Sequence, residues 1–538
     1  MTERNHRRAP DPAPHPSTYP CRRPARGHRS RPHRRAERLQ LRRPGGPLRR
    51  RRHRDRGRHP APRCLQRPAQ RHAVLQRQRR HRRAHRARLR HARGHARRQP
   101  RAEAVAGTSW KLAPDGKSLT LQLRKGVRFH SGRPFTSKDV AFSIETWADP
   151  AWAVQFQRTA AAVTSVDTSR PDQVTLGFDH PVSNIFDLLD AMPIIDEDSI
   201  ADLKAGKSYV GTGPFEFESW TPNTEIEFKR NPDYWGGKPH LAGVDTKIVT
   251  DPQSLVSQLR SGQLDAITGG SNRDLEALRA SRQFDVEELK GAEQQVYVGA
   301  NLQNPQLQDV RLRQAIAYAV DRPRVTNDVY RGAGYPINVP WPKYSPAYDE
   351  RLNHRYDRDV AKARALVKEA TQGSKGATIP LEYDASNSDT EATAQIVQAN
   401  LKEAGIQVGL EPLDHSQFIK KLIGAKFKGL WVAIHSYAQW TPSTLAVSAY
   451  PFNAEHNASH FTDKGYLEHS NAAWQVTDGT GPEAVSSYRD ISDDFLDNLF
   501  LIELSVIYTQ VAHSPRLHGL SWSKRQEIDL DDAYLSKG

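Results

Sequence analysis

Beyond about Thr108 the chain alternates between two hydrophobic periods. Leu119, Leu121 and Leu123 are separated by Thr120, Gln122 and Arg124, the period of two that buries one face of a strand and wets the other. Ile226 and Phe228, set among Glu225, Glu227 and Lys229, repeat it. Elsewhere the apolar positions fall three and four apart. Thr136-Ser137-Lys138-Asp139 is a capping box opening a helix whose Val140, Ile144 and Trp147 share one face. Asp251 stands as an N-cap, Pro252 at the first helical position, Leu255, Val256 and Leu259 on the inner face and Gly262 at the stop. Leu312, Ile316, Ala319 and Val320 form the stripe of a helix starting near Asp309; Val360, Ala363, Val367 and Ala370 form another that ends before Gly373.

An alternating stretch follows. A strand near Ile379 to Tyr383 precedes a helix near Glu391 to Ala404, stopped by Gly405, then a strand through Ile406, Val408 and Leu410, and a further strand from Leu430 to Ile434. Pro380 cannot donate to a ladder, which places the first of these at an edge or at a strand start. Strands separated by helices predict α/β lobes with mainly parallel sheets. No internal repeat is visible.

Charge divides the chain. The 538 residues carry a net +18, yet residues 1–100 hold 34 Arg, no Lys and four acids, so the remainder is acidic with a net −12. The basic segment, to about residue 104, has no Ile, Phe or Trp, 13 Pro and 11 of the 22 His, too little apolar surface to offset the entropy of ordering, and is expected to be disordered. An absence of Lys among so many Arg is what GC-rich codons give when read out of frame, so a mistranslated or misannotated leader is the first expectation. Taken literally, runs such as Arg49 to Arg52 suit nucleic acid or anionic membrane. Both cysteines, Cys21 and Cys64, lie in this segment; the body has no residues for disulfides, Cys-ligated zinc or thiol catalysis. No stretch reaches the roughly 18 apolar residues of a membrane span, and the first segment lacks the apolar run of a secretory signal.

An ordered set of phrases in the body resembles the extracytoplasmic solute-binding proteins of ABC importers, specifically the peptide/nickel-type family 5. They are Trp110 to Val140, with Pro114-Asp115-Gly116-Lys117, Leu123 to His130 and Gly132-Arg133-Pro134-Phe135; Gly211-Thr212-Gly213-Pro214-Phe215; Arg230-Asn231-Pro232-Asp233-Tyr234-Trp235; Ser261 to Asp265; and Asp309 to Arg322. The residues themselves read mostly as architecture: Gly211 and Gly213 for a tight strand entry, Asn231-Pro232-Asp233 for a turn, Tyr234 and Trp235 for packing.

The resemblance implies an α/β, bilobed periplasmic-binding-protein-like fold with discontinuous domains and the additional lobe of the large class. The expected division is a leader over 1–104, an N-terminal lobe and accessory domain over 105–205, a continuation of the first lobe over 206–285, a second α/β lobe over 286–515 and a return to the first lobe over 516–538. The implied function is capture of a peptide-like or other polar solute between the lobes and delivery to a membrane permease, outside the cytoplasm, as a monomer, with no cofactor, metal or catalysis. The family's signal peptide and first strand would fall where the Arg-rich segment stands.

Ligands of open α/β sheets sit beyond the carboxyl ends of strands. After the strand ending at Ile434 come His435, Ser436, Tyr437 and Trp440; after Tyr383 come Asp384, Ser386 and Asn387; Asn301 follows Val296-Tyr297-Val298. We take His435, Tyr437, Trp440, Asn301, Asp384, Ser386 and Asn387 as candidate ligand contacts, aromatic faces with a few polar groups. Peptide-binding relatives commonly place an acidic residue in the loop equivalent to His435–Pro442, and here it has none. A buried ammonium without a partner is costly, so Asp384 or another carboxylate would have to serve a free peptide. Otherwise neutral oligosaccharides, modified peptides or other polar solutes gain weight. The chain has no Gly-x-Ser-x-Gly, Walker, dinucleotide or His-Glu-x-x-His motif, and His456 and His460 read as loop residues.

Overall fold

The computed structural model describes residues 107–374, 376–437 and 439–537. The Arg-rich leader, with its expected disorder, its two cysteines and its nucleic-acid reading, lies outside the described residues. Four strands, β1 (Gly107–Leu112), β2 (Ser118–Leu123), β3 (Val163–Arg170) and β4 (Gln173–Phe178), form an antiparallel sheet in the order β1-β2-β4-β3. Leu119, Leu121 and Leu123 turn inward, as their period requires, against Val140 and Ile144 of the helix Ser137–Ala148. The backbone N–H of Thr136 donates to Asp139 Oδ2 at 2.7 Å, the return half of the capping box.

A second antiparallel sheet joins β5 (Phe215–Thr221), β6 (Glu225–Arg230) and β7 (Gly243–Lys247). The glycine-rich strand entry before it is clamped by His130, whose Nδ1 accepts from Gly211 N (3.2 Å) and whose Nε2 meets Gly213 O (3.0 Å). Asn231 Nδ2 donates to the same Gly213 carbonyl at 2.9 Å. These phrases fix backbone.

The third sheet has seven strands: β8 (Ala266–Thr268), β9 (Asp285–Ala300), β10 (Gly334–Pro336), β11 (Ile379–Asp384), β12 (Val408–Leu413), β13 (Leu430–Ser436) and β14 (Leu501–His513). The order is β10-β14-β9-β13-β11-β12, with β8 also on β14. The expectation of mainly parallel sheets is corrected here. Only β11 pairs in parallel, with β12 and β13, and every other ladder is antiparallel. Parallel pairing needs a crossover, which the chain supplies only through the helices Ser388–Glu403 and His415–Ile423. Periodicity reports burial, not strand direction. Pro380 is accommodated because pairing to β13 begins one residue later, at Leu381.

β9 and β14 run through two cores. Val296, Val298, Leu501 and Leu504 belong to the large cluster around β11 and β13, whereas Leu289, Ala292 and Val511 pack with Phe215, Leu241 and Val244. The short strands β15 (Leu517–His518), β16 (Ser521–Trp522), β17 (Ile528–Asp529) and β18 (Tyr534–Leu535) complete that second core through Leu517, Leu530 and Ala533. Between the two cores the β9–β14 register breaks: Tyr508 faces Glu293 but Gln510 faces Glu288, so Leu289 to Ala292 bulge opposite Thr509. Gly291 takes φ +86° there, open to residues without a side chain.

Candidate ligand-binding cleft

The loop after β13 leaves the sheet beside the start of the upper half of β9, Ser436 standing opposite Gln294. A carboxylate from another element holds it. Asp187, on the helix Ile185–Ala191 of the four-stranded-sheet core, accepts from Trp440 N (2.6 Å), Thr441 N (3.0 Å) and Thr444 Oγ1 (2.7 Å). Burial pushes its carboxyl up to about 6, and those three donors pull the other way. Trp440 Nε1 donates to Asp190 Oδ2 at 2.9 Å, which fixes the indole plane.

Against that indole lies the tip of the β16–β17 hairpin. Lys524 Nζ donates to Gln439 O at 2.8 Å and sits 4.9 Å from the Tyr344 ring centroid and 4.8 Å from that of Trp440. An ammonium between two aromatic faces is a favourable cation–π arrangement. Burial holds it below its usual range, although Asp187, Glu293 and Asp190 draw it back. Tyr344 keeps 38% of its surface exposed, so this wall is open to solvent. From the same tip, Gln526 Nε2 donates to Ser436 Oγ at 3.0 Å.

Glu293 completes the group. Its Oε1 accepts from Gly291 N at 3.1 Å, its backbone carbonyl accepts from Tyr437 N at 3.2 Å, and its Oε2 is buried without a well-formed hydrogen bond, the Tyr344 hydroxyl lying alongside the carboxylate. Both side-chain amide atoms of Gln439, and of Gln295 farther along β9, are also buried and unpartnered. The site therefore offers a cation, an anion, two aromatic planes and unused amides at one strand edge. That is recognition chemistry, with no nucleophile–base pair in it.

The family model of the bacterial extracellular solute-binding proteins, family 5 (middle), matches residues 103–457. The chain belongs to this family. It is 27% identical over 358 residues to heme-binding protein A of Haemophilus influenzae, covering 59% of this chain and 63% of that one. It is 26% identical over 329 residues to the oligopeptide-binding protein AppA of Bacillus subtilis, covering 57% and 60%. The chain thus spans about three fifths of the length of the curated relatives it matches. Among solved structures it resembles the binding protein AgaA of A. tumefaciens R10 in complex with agropinic acid, with TM-score 0.73, 24% identity, and 80% and 90% of the two chains covered. The dipeptide-binding protein of Pseudoalteromonas sp. SM9913 in complex with Met-Leu follows at TM-score 0.72, 20% identity and the same coverage. The periplasmic-binding-protein fold of the described residues is established by these likenesses.

Within this family 5 chain, the seven residues singled out in the sequence fall in three places. Tyr437 and Trp440 stand beside the Lys524 and Tyr344 group, at the candidate cleft. Tyr437 is only 2% exposed, its hydroxyl 3.2 Å from Ser345 Oγ, whereas Trp440 is half-buried beside Lys524. His435, at the same strand end, turns into the core between Tyr297 and Phe452, with Nε2 3.5 Å from Glu503 Oε1. Asp384, Ser386 and Asn387 cluster where β11 ends: Asp384 accepts from Ser386 Oγ and meets His415 Nδ1, both at 2.6 Å, and Asn387 caps the helix Ser388–Glu403. Asn301 is not brought to either group. It lies at the opposite end of the strands, beyond the Ala300–Leu430 pair, and donates to Phe427 O at 2.7 Å.

Sequence reading missed Asp187, Glu293, Tyr344, Lys524 and Gln526. They come from distant segments that carry no motif, and only the turn-like Ser523 to Gln526 between two short strands hinted at a loop. His460 is spent on Ala425 O at 2.8 Å, and no group of three or more His, Cys, Asp or Glu among the described residues is arranged to hold a metal. Among the described residues no helix is long and apolar enough to cross a membrane.

Proposed function

We propose that the chain is the solute-capturing component of an ABC importer. It takes a peptide-like or other polar solute into the cleft walled by Trp440, Tyr344, Glu293 and Lys524 and passes it to a membrane permease, acting outside the cytoplasm as a single copy and without catalysis. The observation that carries this reading is the convergence, in a family 5 chain, of separate segments at one end of the large sheet, where Lys524 lies between the Tyr344 and Trp440 rings and Glu293 is buried beside them. The oligopeptide-binding relative and the neighbours that hold Met-Leu and agropinic acid support a peptide-like or other polar solute. Two long strands bridging two cores support closure around it. Tyr437 and Trp440 then serve as cleft wall, with Asp384, Ser386 and Asn387 as outlying contacts on the same side of the sheet; His435 backs the wall from within.

The test is calorimetry and thermal unfolding of the full chain with trialanine, N-acetyl-trialanine and a neutral disaccharide. At least one should bind, and at a hundred times its Kd should stabilise the fold by about 2.7 kcal/mol. Trp440→Ala should weaken that binding by about tenfold or more, the share of an aromatic anchor. A folded chain that shows neither heat nor a Tm shift with any of the three overturns the reading.

A further inference from the structure

Glu293 stands where the candidate cleft meets the β9 segment that links the two cores. It follows the Leu289 to Ala292 bulge that interrupts the β9–β14 ladder between the two cores. One carboxylate oxygen grips the N–H of Gly291, the positive-φ residue of that bulge, at 3.1 Å. The other is buried without a well-formed hydrogen bond, the Tyr344 hydroxyl lying alongside the carboxylate, and the residue is only 5% exposed. A buried carboxylate held by one N–H and flanked by a phenol is under-satisfied and favours any stronger donor or cation that reaches it.

The neighbouring charges are engaged elsewhere. Asp187 is taken up by Trp440 N, Thr441 N and Thr444 Oγ1, and Asp190 accepts from Trp440 Nε1. Lys524 donates to the Gln439 carbonyl rather than to Glu293. The loop His435–Pro442 holds no acidic residue of its own.

We propose that Glu293 is the specificity-determining residue for a cationic group on the cargo, an ammonium or guanidinium, and that it ties recognition of that charge to the hinge through Gly291. The inference rests on the solute-binding reading above. A cation at Oε2 completes the coordination of a carboxylate whose other oxygen already fixes the bulge, so a charged cargo rigidifies the link between the two cores. A neutral cargo of the same size leaves the oxygen unmatched. The acidic partner that a free peptide needs thus comes from the hinge strand instead of the loop.

The experiment is calorimetry on the full chain with three peptides of one length: trialanine, N-acetyl-trialanine and N-acetyl-Ala-Lys-Ala. In the wild type at least one of the two cation-bearing peptides should bind about tenfold or more tighter than N-acetyl-trialanine. In Glu293→Gln the ratio should fall to within about threefold, mostly through loss of the charged peptide, whereas Glu293→Asp, which keeps the charge, should retain part of it. Glu468→Gln, which removes an exposed surface carboxylate paired with Lys464, should leave the ratio unchanged. Equal binding of all three peptides by the wild type overturns the inference without any variant, and so does a ratio that survives in a folded Glu293→Gln. If only a neutral disaccharide binds, the charge inference fails and the solute-binding reading stands. If nothing binds, both fall.

Discussion

Asp384 shows how a side chain's neighbours, more than its type, set its task. It closes β11, where its carboxylate meets His415 Nδ1 (2.6 Å), Ser386 Oγ (2.6 Å) and Ser386 N (3.0 Å). Burial alone would raise its carboxyl, but the His415 and Ser386 hydrogen bonds win and hold it below the ordinary value. The same hydrogen bond raises His415, against the desolvation that lowers it. A depressed carboxyl stabilises above its unfolded value, about pH 4, and loses that contribution as pH falls through the folded value. A raised imidazole stabilises fully below about pH 6.5 and loses its contribution as pH rises through its folded value. The pair therefore helps most between about pH 4 and 6.5. With His415 39% exposed, the effect is under about 1 kcal/mol. The Tm difference between wild type and His415→Gln should be widest near pH 5 and narrow toward pH 9; a difference independent of pH would refute the linkage. The sequence marked Asp384 by its place after a strand, and His415, from the next helix, was invisible there because thirty residues separate the two in the chain.

At the scale of elements, period and caps carried far. The capping box, the Asp251–Pro252 helix start and the alternation of β2 all stand as read, because each depends on residues within one turn or one strand. Pairing was another matter. Gly299 in β9 lies opposite Trp431 of β13, and a Cβ placed on it would come within 2.1 Å of the indole. Trp431 cannot give way easily, since it stacks on Phe427 with centroids 4.5 Å apart. Gly299→Ala should therefore cost about 1–3 kcal/mol by overpacking, measured by denaturant unfolding, despite alanine's ordinary preference for order over glycine. A neutral result would mean that the indole has room to shift. Glu382 makes a similar point in β11: a fully buried carboxylate satisfied by the Lys421 ammonium and by Lys428 N (2.7 Å) across 46 residues of sequence. Truncating Lys421 to Met should cost about 3–5 kcal/mol, the consequence of leaving that charge unpaired.

At the scale of the whole described molecule, the loop that forms the candidate cleft is held by a carboxylate from another core. Asp187 sits on a helix packed with the four-stranded sheet, yet its three donors belong to the loop and helix that follow β13. Ser183 Oγ, 3.0 Å from Ser443 Oγ, and Trp474 Nε1, donating to Asn184 Oδ1 at 2.7 Å, extend the same seam. Asp187→Asn keeps one acceptor and loses the other, so it should lower stability by about 1–3 kcal/mol and weaken cargo binding with it. Loss of stability without any change in affinity would show that the seam does not position the loop. The sequence by itself determined that most of this chain belongs to the family 5 solute-binding proteins, where its helices begin, which faces of its strands are buried, and that its net positive charge comes from residues 1–100. Those properties are local, or are carried by ordered motifs that build backbone. Only the tertiary structure decided the direction of the strands, the bulge at Gly291 between two cores, and the meeting of Lys524, Trp440, Tyr344, Glu293 and Asp187. A binding site is a convergence of segments separated by up to hundreds of residues, and hydrophobic periodicity carries no record of which segments will meet.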